Sequence, residues 1–112
     1  LKLHAVVANG GAHPRLRAQL TRCLLDQLGL GEVPVGIGAV GKARDTDARA
    51  FRAHGIGAVN AASLEDGHEA LVRTLEAADD RSLTVVCLSS LRDLANVLAA
   101  RPALVLAKVR EV

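Results

Sequence analysis

The chain has 112 residues, a formal charge of +2 and 23% charged residues, which suits one folded domain and excludes intrinsic disorder. Half of its residues are hydrophobic, yet Phe51 is the sole aromatic. A single aromatic offers almost no stacking platform for bases, which argues against a nucleic-acid partner, and no apolar run approaches the length of a bilayer span.

With Met, Trp and Tyr absent, the core is left to Ala, Val and Leu, the filling of a parallel sheet covered by helices. The first predicted strand covers residues 3–8 and ends at Asn9-Gly10-Gly11, a turn signal. Pro14 suits the first turn of a helix. Leu16, Leu20, Cys23, Leu24 and Leu28 then recur at helical spacing over 14–28, and Gly29 closes the helix as a C′ glycine. A second strand is predicted over 33–37, giving a strand–helix–strand unit.

Residues 38–62 carry no sustained periodicity and are rich in Gly, Ala, Arg and Asp, the signature of a long functional loop. Ser63 with Asp66 reads as a capping box, opening a helix over 64–78 with Leu64, Leu71, Val72 and Leu75 on its buried side. A β-rich run at 83–88 reads as a central strand. Ser90 with Asp93 repeats the capping pattern before a helix over 91–100, with Leu91, Leu94, Val97 and Leu98 as its stripe. Pro102 opens a further helical turn, and 109–112 reads as a last strand. The alternation predicts an α/β fold, a Rossmann-like parallel sheet with helices on both faces. Cys23 and Cys87 lie far apart and read as buried small hydrophobes in a reducing compartment, and the opening residues do not read as a signal peptide. A cytoplasmic location is expected.

Gly36-Ile37-Gly38-Ala39-Val40-Gly41 matches the dinucleotide pattern G-x-G-x-x-G. That pattern needs a helix after it and an acid about twenty residues on. Here Lys42, Ala43, Arg44, Asp45, Thr46 and Asp47 lack a helical period, and Ala58, Val59 and Asn60 stand at the acid's place, so a glycine-rich turn is the stronger reading. The basic residues Lys42, Arg44, Arg49 and Arg52 are interleaved with Asp45 and Asp47 as in a solvated loop. Of the four histidines, His4 and His68 read as structural or exposed, and His13 has no visible partner. His54 stands beside Gly55, which frees it to approach a ligand. Ser89 and Ser90 lack a nucleophile elbow and read as a turn and helix cap.

Four stretches in order resemble the inosine-uridine type of nucleoside hydrolase. Residues 3–11 with their Asn9-Gly10 turn resemble the family's "T-V-x-G-N" strand end, and Val33-Pro34-Val35-Gly36-Ile37-Gly38 its "V-P-V-x-x-G". His54-Gly55-Ile56-Gly57 resembles the "H-G-x-x-G-L" loop, and residues 83–102 the "L-V-A-L-G-P-L-T-N-L-A" strand–turn–helix. The family's next strand, "V-V-x-M-G-G", falls at about Val109. The resemblance covers essentially the whole chain, as a single partial domain over 1–112.

What the resemblance implies is hydrolysis of the N-glycosidic bond of ribonucleosides, with Ca²⁺ gripping the ribose hydroxyls and a water in the complete protein. It carries Asn9 and His54 over as substrate-binding residues. It also carries over Asn9, and Arg92 through its backbone oxygen, as metal ligands. Two departures stand out: the family's Gly-Asn order is Asn-Gly here, and its Thr-Asn pair falls at Arg92 and Asp93. The "D-x-D-x-x-x-D-D" segment and the C-terminal Asp that complete the Ca²⁺ site are not in the sequence. The expectation is therefore an internal fragment, inactive in this form and without bound Ca²⁺, with no membrane or nucleic-acid partner and a homo-oligomer left open. The alternative is a non-catalytic nucleotide- or partner-binding α/β module.

Overall fold

The computed structural model describes residues 1–41 and 63–112. Chain order is β1 (Val6–Ala8), α1 (Pro14–Gln27), β2 (Val35–Ile37), β3 (Leu64–Asp66), α2 (Gly67–Ala77), β4 (Leu83–Thr84), α3 (Arg92–Ala100), α4 (Pro102–Lys108) and β5 (Val109–Glu111). The fold is α/β, and every strand pairing is parallel.

The strands form two small sheets rather than one: β1-β2-β3, and β4-β5. In the first, Val6 lies opposite Val35 and Val35 opposite Leu64. Side chains alternate across a strand, so successive residues of β2 look to opposite faces. Val35 is fully buried in a cluster with Ala8, Ala18, Leu25 and Val33, beneath α1. Its neighbour Gly36 faces α2 instead, where Gly67 and Ala70 approach it. Helices therefore cover both faces of the first sheet. The second cluster, Leu75, Leu83, Val97, Val105 and Val109, joins α2, α3 and α4 to the β4-β5 pair. Thus α2 is shared: its first turn packs on one sheet and its Leu75 enters the other core.

The approach of α2 to β2 explains two glycines. A Cβ on Gly67 would lie 2.7 Å from the Ile37 carbonyl oxygen and 2.9 Å from a Val7 methyl carbon. Gly67→Ala is therefore expected to cost about 2 kcal/mol through overpacking, read as a lower midpoint of denaturant unfolding with an unchanged slope. An unchanged midpoint would mean that α2 can back away from the sheet freely.

Four expectations need correction. Residues 64–66 pair as a strand and do not begin the helix. Leu64 packs against the first core, while Asp66 becomes the N-cap, accepting from the Glu69 N–H at 3.0 Å. The run at 83–88 contributes only two residues to a ladder: its partner is β5, itself three residues long, and the register is irregular at Leu83 and Thr84. The buried stripe of α1 is Pro14, Ala18, Arg22 and Leu25, not the leucine stripe; Leu24 and Leu28 are exposed. Ala18 lets the helix lie close to Val35, which a leucine there would prevent. Cys23 and Cys87 are half-buried free thiols, not buried ones.

The C-terminus of α1 behaves as its glycine predicts. Gly29 has φ +73, its N–H donates to Asp26 O at 3.1 Å, and Leu30 N–H reaches Leu25 O at 2.8 Å. This is a Schellman closure. Beside it the Arg22 guanidinium, almost wholly buried, donates to Val33 O at 2.6 Å, Leu30 O at 2.9 Å and the Asp26 carboxylate at 2.8 Å. Among the described residues no helix is long and apolar enough to cross a membrane.

Candidate functional site

In an open parallel sheet, ligands bind beyond the carboxyl ends of the strands, where the turns leave the sheet. Three such turns meet here. Gly38 N–H donates to Ala8 O at 2.9 Å, carrying the β1–β2 pairing one residue past the strands. Asn9, the residue after β1, donates from its side-chain nitrogen to Ser90 O at 2.9 Å and to Asp93 Oδ2 at 2.7 Å. Asp93 in turn accepts the Ala39 N–H on Oδ1 at 2.8 Å. One carboxylate thus ties the turn after β1, the turn after β2 and the first turn of α3 together. Asn9, Gly38 and Ser90 thus meet beyond the carboxyl ends of β1 and β2.

Asp93 is buried and sits in the first turn of α3, where the partial positive charge of a helix N-terminus favours a carboxylate. Its expected capping role is not the one it plays. Ser90 Oγ takes the Arg92 N–H at 3.2 Å, two residues on instead of three, and Asp93 turns outward to Asn9 and Ala39. Around this pin the packing is close. A Cβ on Gly38 would lie 2.5 Å from Asn9 Cβ, and one on Gly10, where φ is +87, would lie 2.8 Å from Ser89 Oγ.

In the dinucleotide pattern at 36–41 three backbone amides are already paired. A phosphate cradle works through unspent backbone N–H groups. Here Gly38 N–H is committed to Ala8 O, Ala39 N–H to Asp93, and Gly41 N–H to Gly11 O at 3.0 Å.

Comparison with protein-family models, curated proteins and solved structures gave no match.

The residues singled out by the sequence fare differently. Asn9 sits at the centre of the cluster. Arg92 is the first residue of α3, so its carbonyl is directed along the helix; it brings its side chain to the edge, where Nη1 donates to Val40 O at 2.9 Å. The backbone oxygen that reaches Asn9 is that of Ser90. His54, Asp45 and Asp47 lie outside the described residues. His4 lies by an open cavity of about 280 Å³ with Pro34, Arg73, Thr74, Ala77 and Ala78. It precedes β1 and Pro34 precedes β2, which puts this cavity at the opposite, amino-terminal end of the strands. There Arg73 is paired with Glu65 at 2.6 Å, whose hydrogen bond and charge raise the Arg73 pKa further.

Ca²⁺ prefers 6–8 oxygen ligands. Among the described residues the edge offers the Asn9 amide oxygen, the oxygens of Ser89 and Ser90, and a carboxylate whose two oxygens each already accept an N–H. Among the described residues no group of three His, Cys, Asp or Glu side chains could hold a metal ion. The described residues alone therefore do not fit Ca²⁺.

Asp93 is the site residue that sequence reasoning undervalued. Its only signal was the departure at this position, an Asp where the resembling family has Asn.

Proposed function

We propose that this chain is part of a nucleoside hydrolase-like unit whose ligand is a ribonucleoside, taken at the carboxyl edge through its sugar, and that these 112 residues do not cleave it unaided. The observation that carries this reading is the convergence of Asn9, Ser90 and Asp93 at the ends of parallel strands. Two features support it. The Asn9 nitrogen is spent on two acceptors, leaving its oxygen to receive a donor such as a ribose hydroxyl. The Gly36–Gly41 turn has its amides at 38, 39 and 41 already paired, which disfavours the nucleotide-phosphate reading. Glycoside hydrolysis also needs a group to activate water, and the one carboxylate in this cluster among the described residues is held by two N–H donors.

Titration of the isotope-labelled chain separates the readings. Inosine, uridine and free ribose at millimolar concentration are expected to shift the backbone signals of Asn9, Ala39 and Ser90, with no ribose released. Inorganic phosphate and NAD are expected to leave residues 36–41 unmoved. Shifts produced by phosphate and not by ribose would replace this reading with the nucleotide-binding one. Release of ribose by the chain alone would show that a catalytic carboxylate reaches this edge.

A further inference from the structure

We infer that Asp93 is a positioning residue: its carboxylate fixes the Asn9 side-chain amide with the nitrogen inward and the oxygen outward. The two ends of an amide are distinguished by their partners. Both groups within reach of the Asn9 nitrogen, Ser90 O at 2.9 Å and Asp93 Oδ2 at 2.7 Å, are acceptors. Turning the amide over would set its oxygen against two oxygens and lose both bonds. The nitrogen has two hydrogens and two acceptors, so its donor capacity is filled. Among the described residues the Asn9 oxygen has no hydrogen-bond partner, and Asn9 is only half-buried.

The choice of an acid at this position follows. Residue 93 must accept twice at once, from the Ala39 N–H on one oxygen and from Asn9 on the other. A carboxylate does this; an amide carries a donor on one of its two arms. Asparagine at 93 would keep its oxygen toward Ala39 and present its nitrogen to Asn9. The Asn9 amide would then face a donor at residue 93 and an acceptor at Ser90 O, so neither orientation satisfies both partners. The edge would lose its fixed acceptor without any change in the backbone.

This inference rests on the ribonucleoside reading only for what the outward oxygen receives; the orientation itself needs no ligand. The test is therefore made without one, by NMR on the full 112-residue chain. The Asn9 nitrogen is expected to show a through-hydrogen-bond correlation to the Asp93 carboxyl carbon. Its protons should exchange with water about tenfold or more slowly than those of the exposed Asn96, as bonds to a charged acceptor imply. In D93N that protection is expected to fall to the Asn96 level. In G67A, which overpacks the contact between α2 and β2, it should persist. Absence of the correlation in the unsubstituted chain overturns the inference, whether or not D93N folds. So does undiminished protection in a folded D93N. Failure of ribose to bind, with the correlation present, would count against the nucleoside reading alone.

Discussion

Replacing Arg22 with methionine is expected to lower the stability of the chain by about 3 kcal/mol, more than removal of any single salt bridge on its surface. Methionine keeps the apolar stem and removes the buried guanidinium. What is lost is the fork. Val33 O loses a donor at 2.6 Å and Leu30 O one at 2.9 Å. Leu30 O still accepts the Val33 N–H, so the greater penalty falls on Val33 O, at the entrance to β2 and close to the first core.

Two controls make the cause visible. Asp26 shares the guanidinium but its side chain is 55% exposed; D26A is expected to cost only about 0.5 kcal/mol, as for exposed pairs. Arg22→Lys places one ammonium where a planar fork was, so it should recover roughly half of the loss. Thermal unfolding of the three variants decides the matter, with R22M lower by roughly 15 °C. A D26A effect equal to that of R22M would mean that the ion pair, and not the carbonyl closure, holds the turn.

Arg22 also marks where sequence reading loses its grip. In a helix read for apolar spacing, Leu16, Leu20, Leu24 and Leu28 form the natural stripe, and an arginine among them is assigned to solvent. The helix is instead turned so that Ala18 meets the sheet, and Arg22 goes inward because two carbonyls of the following turn need donors. That need comes from the turn at 30–33, which no property of the helix encodes. The ends of α1, by contrast, were legible: Pro14 and Gly29 act locally, through a missing N–H and a positive φ, and both take the places their chemistry dictates. The strand at 64–66 was missed for the opposite reason. Three residues are too few for a period to appear, and only pairing with β2 makes them a strand.

The carboxyl-edge site was half legible. That the turns after β1 and β2 share an edge follows from their parallel pairing, and Asn9 with Gly38 could be placed there from the sequence; the 89–90 turn follows a strand of the other sheet and joins them through the Asn9 bonds. Asp93 could not be so placed. An acid in the first turn of a helix reads as a dipole partner or cap, and its link to Ala39 spans 54 positions, which only the fold brings together.

Gly38→Ala is expected to be the most damaging small substitution, at about 3 kcal/mol, and to dissolve the site as it destabilises the fold. Backbone strain is not the cause, since Gly38 is not among the positive-φ glycines. The cause is space. The added Cβ would stand 2.5 Å from Asn9 Cβ, 2.9 Å from Asp93 Oδ2 and 3.0 Å from Ala8 O. Neither Asn9 Cβ nor the Ala8 oxygen belongs to a flexible side-chain end, and Asp93 is held by two hydrogen bonds. Relief therefore requires the β1 and β2 turns to part, which breaks the Gly38–Ala8 bond and draws Asn9 from its acceptors, adding to the overpacking penalty. Gly29→Ala gives the contrast: φ is +73 but nothing lies within 4 Å of the new methyl group, so only the conformational penalty of about 1 kcal/mol is due. Denaturant unfolding should rank the two variants in that order, and the Asn9 side-chain amide should lose its protection from exchange in G38A alone. A Gly38→Ala chain within about 0.5 kcal/mol of the original, with the Asn9 amide still protected, would mean that the turns are not clamped as described.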